Sequence, residues 1–288
     1  MATTITSGFT KLRENLEITT LQSGTVSTRQ KNVRDAVESE MSVLSSFLTG
    51  SYQRSTMIAP LGEADVDVFV VMASKYYEAD GQASLLDKVK RALKKTYPDT
   101  PSISRNGQAV TITFSDFKVD VVPGFNRANG GYLIPDSVLK RWIETDPTKH
   151  VELWTETNKT HSGQFVPLVK MLKGWNKKNG VPFRSFHLEA LARQVFTGVT
   201  ISSYPSGVRY FFDKARDWIK VKLYDPAGYG GDIGAYLDTT IKMDDAVSRL
   251  NTAYDRAKAG EEWEAAGRTE KAFERWRMVF DTYFPAYG

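Results

Sequence analysis

Residues 65–72, Asp-Val-Asp-Val-Phe-Val-Val-Met, constrain the fold more than any other stretch of this 288-residue chain. The run reads as a buried strand, yet it opens on two carboxylates, and burying a charge is costly unless something positive meets it. Residues two apart in a strand share a face, so Asp65 and Asp67 project together while Val66 and Val68 project to the other side. Adjacent carboxylates repel, and the arrangement persists most readily around a divalent cation. A third candidate ligand is Asp120, on the face of its own strand opposite Phe117, Val119 and Val121. If the two strands are neighbours, three carboxylates converge. Such a triad suits two magnesium ions clamping an in-line phosphoryl transfer, with manganese as a substitute.

The flanking patterns build a frame for that strand. Val33, Val37, Met41, Leu44 and Leu48 recur at three- and four-residue spacing, which predicts one long amphipathic helix over 28–48 ended by Gly50. A glycine there lets the backbone approach a ligand closely, and the Ser51 hydroxyl can meet a phosphate oxygen. Residues 82–97 predict a second helix with Leu85, Leu86, Val89 and Leu93 facing inward. Residues 109–114 and 117–122, rich in β-branched side chains, predict a hairpin turning at Ser115-Asp116. Beyond Pro123-Gly124 the pattern turns helical, over 136–145, 165–178, 186–196, 208–221, 243–258 and 269–280. The expected class is therefore α+β, with an N-terminal lobe (1–155), a helical C-terminal lobe (156–288) and a cleft between them.

Composition narrows the chemistry. There is no cysteine, so disulfides and thiolate metal sites are excluded, and three histidines make a histidine-rich site a poor reading. Any metal would be held by oxygen ligands. The net charge of +4, from 38 basic and 34 acidic residues with no basic block, suits a small polyanionic ligand rather than a long nucleic acid. The N-terminus has no apolar signal core and no run reaches the length of a membrane span, so a cytoplasmic location without membrane contact is expected.

Gly50-Ser51, Asp65-x-Asp67 and the later Asp120 in VDVVP together resemble the nucleotidyltransferase superfamily of the polymerase-β type. More closely, the chain is similar to bacterial cyclic-oligonucleotide synthases related to animal cyclic GMP-AMP synthase and oligoadenylate synthase, the signal-making enzymes of CBASS anti-phage operons. The resemblance runs through GSYQRSTMIAPLGEADVDVFVV, FKVDVVPGF, GGYLIPDSVLKRWIETDP, LVKMLKGWNKKNGVPFRSFHLEALA and LYDPAG to a last helix carrying ERW and ending in FP.

The resemblance implies a polymerase-β-like core with a mixed sheet and long N-terminal helix, completed by a helical lobe, with the active site in the cleft. It implies synthesis of a cyclic di- or trinucleotide from NTPs, pyrophosphate release, and a downstream effector that responds to the product. Asp65, Asp67 and Asp120 match the metal-binding carboxylates, and Asp120 also the group that helps activate the attacking ribose hydroxyl. Ser51, Lys173 and Ser185 match residues that touch the triphosphate, and Phe186 matches an aromatic ring that stacks on a base. In some of these operons a partner conjugates the synthase through its C-terminal residue, here Gly288. Two rival readings remain: a template-independent enzyme that makes linear oligonucleotides or tails RNA, and an inactive nucleotide-binding scaffold. Outside the motifs, His187 reads as structural and 225–234 as a flexible connector. Trp263, Trp276, Phe280 and Phe284 read as helical core.

Overall fold

A computed structural model describes residues 1–100, 102–180 and 182–288 and divides the chain into two compact units, Ile18–Leu153 and Met1–Glu17 together with Trp154–Gly288. The expected N-terminal lobe thus loses its first residues to the helical unit. The reason is the apolar stripe of helix α1 (Ile5–Leu16), opened by a Thr4/Ser7 capping box, which buries Ile5, Phe9, Leu12 and Leu16. Phe9 meets Trp276 edge-on at 4.8 Å and also packs on Phe280 and Phe284. An amphipathic helix docks where its stripe finds partners, and these partners lie at the far end of the chain.

In the sheet unit, α2 (Thr20–Glu40) is followed by β1 (Val43–Leu48), the short α3 (Gly50–Gln53), β2 (Asp65–Met72) and α4 (Gln82–Thr96). Then come β3 (Ser102–Asn106), β4 (Ala109–Thr113), β5 (Lys118–Asn126), β6 (Tyr132–Asp136) and β7 (Arg141–Thr145). The sheet order is β1-β2-β5-β4-β3, with β6 and β7 continuing from β5. The β2–β5 pair is parallel and the other pairs antiparallel, so the sheet is mixed as expected. The strand at 65–72, the helix at 82–96 and the hairpin at Ser115-Asp116 are found where the sequence puts them.

Two elements differ. The helix expected over 28–48 ends at Glu40, and residues 43–48 form a strand that pairs with β2 from Val43↔Met72 to Leu48↔Val68. The three–four spacing continues by coincidence: Leu44 is 63% exposed, not on a buried stripe. Satisfying the backbone of β2 along that edge outweighs the periodicity. The helix expected over 136–145 is instead the β6–β7 hairpin. Asp136 Oδ1 accepts the backbone N–H groups of Val138 (2.9 Å) and Leu139 (2.8 Å), so its carboxylate builds a turn rather than capping a helix.

The two faces of β2 are packed differently. Val66, Val68 and Val70 lie fully buried in a cluster that includes Val33 and Val37 of α2 and Leu85, Leu86, Val89 and Leu93 of α4. Each such valine contributes about 1.5–3 kcal/mol of apolar burial. The other face carries Asp65, Asp67, Phe69 and Val71 in succession. Phe69 and Val71 cluster with Ile134, Phe47, Tyr132 and Ile143, and Phe47 stacks on Phe69 at 5.1 Å. The carboxylates sit at the head of the strand, before this apolar cover begins.

The helical unit adds α5 (Pro147–Thr160, which spans the division), α6 (Phe165–Lys178), α7 (Ser185–Val195), α8 (Tyr204–Trp218), α9 (Thr240–Ala265) and α10 (Thr269–Phe280). Its core is aromatic: Trp175 contacts Phe212 at 4.8 Å and Phe183 at 5.9 Å. Trp276, Phe280 and Phe284 are buried as expected, whereas Trp263 is half-buried beneath the Lys271 ammonium, 4.6 Å from its ring. Among the described residues no helix is long and apolar enough to cross a membrane.

Candidate active site

The β1–β2 connection positions the first half of the site. The Thr49 N–H donates to the Asp67 carbonyl at 2.9 Å, which brings the next residue against the Asp67 side chain. Gly50 there has φ +64, and a Cβ on it would lie 1.7 Å from Asp67 Oδ2. Gly50 therefore begins α3 rather than ending a long helix, and its missing side chain is what leaves room for the Asp67 carboxylate. Ser51 follows in the first turn, half-buried. Its carbonyl accepts the N–H groups of Thr56 (2.9 Å) and Met57 (3.1 Å), which fold the connection back toward β2.

The parallel pairing supplies the second half. Asp67 is the register partner of Asp120, and Asp65 stands two residues before Asp67 on the same face. Asp65 is exposed, while Asp67 and Asp120 are half-buried. Burial pushes the Asp120 carboxyl above the usual carboxylate range, and the Asp65 charge adds to that. A hydrogen bond from Thr111 and the Lys118 ammonium pull the other way. The Thr111 hydroxyl donates to Asp120 Oδ1 at 2.5 Å.

Register and face thus set Asp67 beside Asp120, with Asp65 on the same side. Among the described residues, though, no three acid, histidine or cysteine side chains come close enough to hold one ion. The donor set itself, three carboxylates and no nitrogen or sulfur ligand, is the chemistry a hard dication takes.

The remaining expected residues belong to the helical unit. Lys173, on α6, is 7% exposed, and its Nζ donates to Oε1 of the fully buried Glu189 at 3.1 Å. Sequence reasoning did not anticipate that pairing, because nothing in the pattern singles out Glu189. Ser185 is exposed as the first residue of α7. Phe186 is half-buried and stacks on Trp154, with centroids 5.7 Å apart and planes 22° apart. Thr111 was also missed, although the hairpin register sets it opposite Asp120 and would have revealed it. The expected structural role of His187 holds: it is buried and bonded to Tyr236. At the other end of the chain, Gly288 is exposed, and its N–H and carbonyl both pair with the backbone of Ala2 at 3.3 Å.

Comparison with known proteins brings these features together. Residues 3–158 match the Second Messenger Oligonucleotide or Dinucleotide Synthetase domain. A cyclic AMP-AMP-AMP synthase of an Acinetobacter strain is 28% identical over 297 residues, covering 96% of this chain and 84% of the relative. A CBASS oligonucleotide cyclase, CdnC, of Escherichia coli is 28% identical over 154 residues, covering 51% of this chain and 49% of the relative. Among solved structures, E. coli CdnC in complex with a HORMA protein superposes with a TM-score of 0.78 at 18% identity, covering 98% of both chains. The Vibrio cholerae dinucleotide cyclase DncV gives 0.69 at 13% identity, covering 84% of this chain and 70% of the other. The fold is therefore the polymerase-β-like one that the sequence resemblance implied. With the domain match spanning more than half its length, the chain belongs to the Second Messenger Oligonucleotide or Dinucleotide Synthetase family of nucleotidyltransferases.

Proposed function

We propose that this protein joins nucleoside triphosphates into a cyclic di- or trinucleotide, with release of pyrophosphate, as the second messenger of a CBASS anti-phage system. One observation carries the reading: the parallel β2–β5 register that sets Asp67 beside Asp120, with Asp65 on the same face. The named activities of the relatives, a cyclic AMP-AMP-AMP synthase and a CBASS oligonucleotide cyclase, support the same reaction class. Three carboxylates without softer donors fit Mg²⁺, with Mn²⁺ as substitute, and two such ions would neutralise triphosphate charge and polarise the α-phosphate.

The chain's own residues take the remaining tasks. Asp120 accepts the proton of the attacking ribose hydroxyl, and the Ser51 and Ser185 hydroxyls donate to phosphate oxygens. Lys173 contributes positive charge on the triphosphate side, with Glu189 setting where its ammonium sits. The Phe186 ring offers a stacking surface to a base, which is sequence-tolerant because every base has a π-face. There is little covalent work in such a transfer, so positioning is the main contribution, up to about 7–11 kcal/mol of the barrier. A second attack within the rebound linear intermediate closes the ring. The product would act on a downstream effector, and Gly288 would be the point of attachment if a partner conjugates the chain.

The rival reading as an RNA-tailing enzyme needs a cationic path for RNA, and the net charge of +4 provides little. One assay addresses this and the inactive-scaffold reading together: pyrophosphate release from NTPs with Mg²⁺, with labelled RNA present. Wild type is expected to release pyrophosphate without extending the RNA. Asp67→Asn and Asp120→Asn are each expected to lose about 10²-fold or more. Extended RNA would favour the tailing enzyme, and no turnover in wild type would favour the scaffold.

A further inference from the structure

The segment 225–234, which reads in sequence as a flexible connector, is tightly organised together with the residues that flank it. Tyr224 and Asp232 form an isolated β-bridge, and the Ile233 N–H donates to the Leu223 carbonyl at 2.8 Å. Asp232 Oδ1 accepts the N–H groups of Leu223 (3.2 Å) and Gly234 (2.9 Å), and Asp225 Oδ1 accepts that of Ala227 (3.0 Å). Gly234 lies flush against a neighbouring ring, since a Cβ there would come within 3.0 Å of His187 Cε1. Fixing such a loop costs conformational entropy, so the contacts that hold it need a use.

The loop ends on Tyr236, whose hydroxyl grips the start of α7 from both sides of Ser185. The Arg184 backbone N–H donates to Tyr236 Oη at 3.0 Å, and Oη lies 2.9 Å from His187 Nδ1. A backbone N–H can only donate, so Oη accepts from Arg184, while the direction of its bond with His187 Nδ1 follows the imidazole tautomer. Burial, the largest influence, holds the ring down at about 4, so it is neutral at pH 7. The Arg184 guanidinium lies over the Tyr236 ring, 4.6 Å from its centroid, and Arg184 itself makes no side-chain cap to α7. One phenol therefore bonds the residue before Ser185 and the residue after Phe186.

We propose that Tyr236 is the positioning residue of the nucleotide-contacting turn: through Arg184 and His187 it fixes where the Ser185 hydroxyl and the Phe186 ring point, and so sets the affinity for the nucleoside triphosphate. The inference rests on the reading of Ser185 and Phe186 as nucleotide contacts. Acting through Arg184 and His187, Tyr236 affects KM when lost and leaves the chemical step alone.

The test is steady-state kinetics with ATP on the full chain, alongside thermal melts. Tyr236→Phe keeps the ring and removes both hydrogen bonds. It is expected to raise KM about three- to tenfold, the worth of one hydrogen bond, with kcat within twofold of wild type. His187→Leu removes the partner at the other end and is expected to raise KM comparably. The double variant should be no worse than the poorer single one, because both break one unit. Ser185→Ala is the arm for the underlying reading. If Ser185→Ala raises KM while Tyr236→Phe leaves it unchanged, the positioning role is overturned and the nucleotide turn stands. Additive effects in the double variant, or a fall in kcat at constant KM, overturn it as well. If Ser185→Ala leaves KM unchanged, the nucleotide reading of the turn fails and takes the inference with it.

Discussion

Replacing Gly50 by alanine separates backbone strain from disturbance of the site, because Gly107 provides a matched control. Gly50 has φ +64 and Gly107 has φ +60, so alanine at either position pays the left-handed penalty of about 1–2 kcal/mol. Nothing lies within 4 Å of a Cβ on Gly107, whereas a Cβ on Gly50 would sit 1.7 Å from Asp67 Oδ2 and 2.5 Å from Asp67 Cγ. Neither separation is tolerable, so the Asp67 carboxylate must swing away from where β2 presents it. Both variants are then expected to lower the melting temperature by about 2–4 °C. Only Gly50→Ala should lose activity, by about 10²-fold, the usual consequence of misplacing a reacting group by an ångström. Calorimetric melts and initial rates of pyrophosphate release read the two effects separately. Gly50→Ala with activity equal to Gly107→Ala would refute the reasoning, because the carboxylate would then not depend on the space that glycine leaves.

Thr111→Val keeps the shape and removes the hydroxyl from Asp120 Oδ1, so Mn²⁺ affinity measured by electron paramagnetic resonance is expected to fall about tenfold, with Thr111→Ser restoring it. Binding by Thr111→Val equal to wild type would show that the hydroxyl is only packing. His187 is depressed to about 4, so between pH 4 and 6.5 the unfolded chain binds the proton and the folded chain does not. This contribution is full above pH 6.5 and shrinks as pH falls, by about 2 kcal/mol between pH 8 and pH 5. Urea unfolding at both pH values, on wild type and His187→Asn, should show the variant losing less; equal losses would remove His187 as the source. Lys173→Met removes the ammonium paired with the buried Glu189 carboxylate and is expected to cost about 3–5 kcal/mol in urea unfolding, with Lys173→Met/Glu189→Leu recovering most of it. If the double variant recovered nothing, the pair would not be the origin of the loss.

The sequence made β2 legible because both of its faces carry a signal: valines on one side, and carboxylates followed by apolar residues on the other. That β2 and β5 are neighbours is only a condition at the level of sequence, and the structure meets it with a parallel pairing that sets Asp67 opposite Asp120. Gly50 was found, but for a different neighbour. Periodicity carried the helix through Leu44 and Leu48, and only the unpaired edge of β2 explains why those residues are extended. Asp136 misled for a related reason, since an aspartate before an apolar run serves a helix cap or a tight turn equally well. The destination of α1 was not readable at all, because Phe9 meets aromatic partners some 270 residues later. Tyr236 likewise gave no sign: a hydroxyl shared between a backbone N–H and an imidazole leaves no periodic trace.

The central claim is that Asp65, Asp67 and Asp120 act together in making a closed nucleotide ring, and product identification tests it most directly. The purified chain is incubated with all four NTPs and Mg²⁺ or Mn²⁺, treated with phosphatase, and the products are identified by mass spectrometry. The account predicts a phosphatase-resistant cyclic oligonucleotide that disappears in Asp65→Asn/Asp67→Asn and in Asp120→Asn. Products that are only linear, or a cyclic product that persists without the carboxylates, would contradict it.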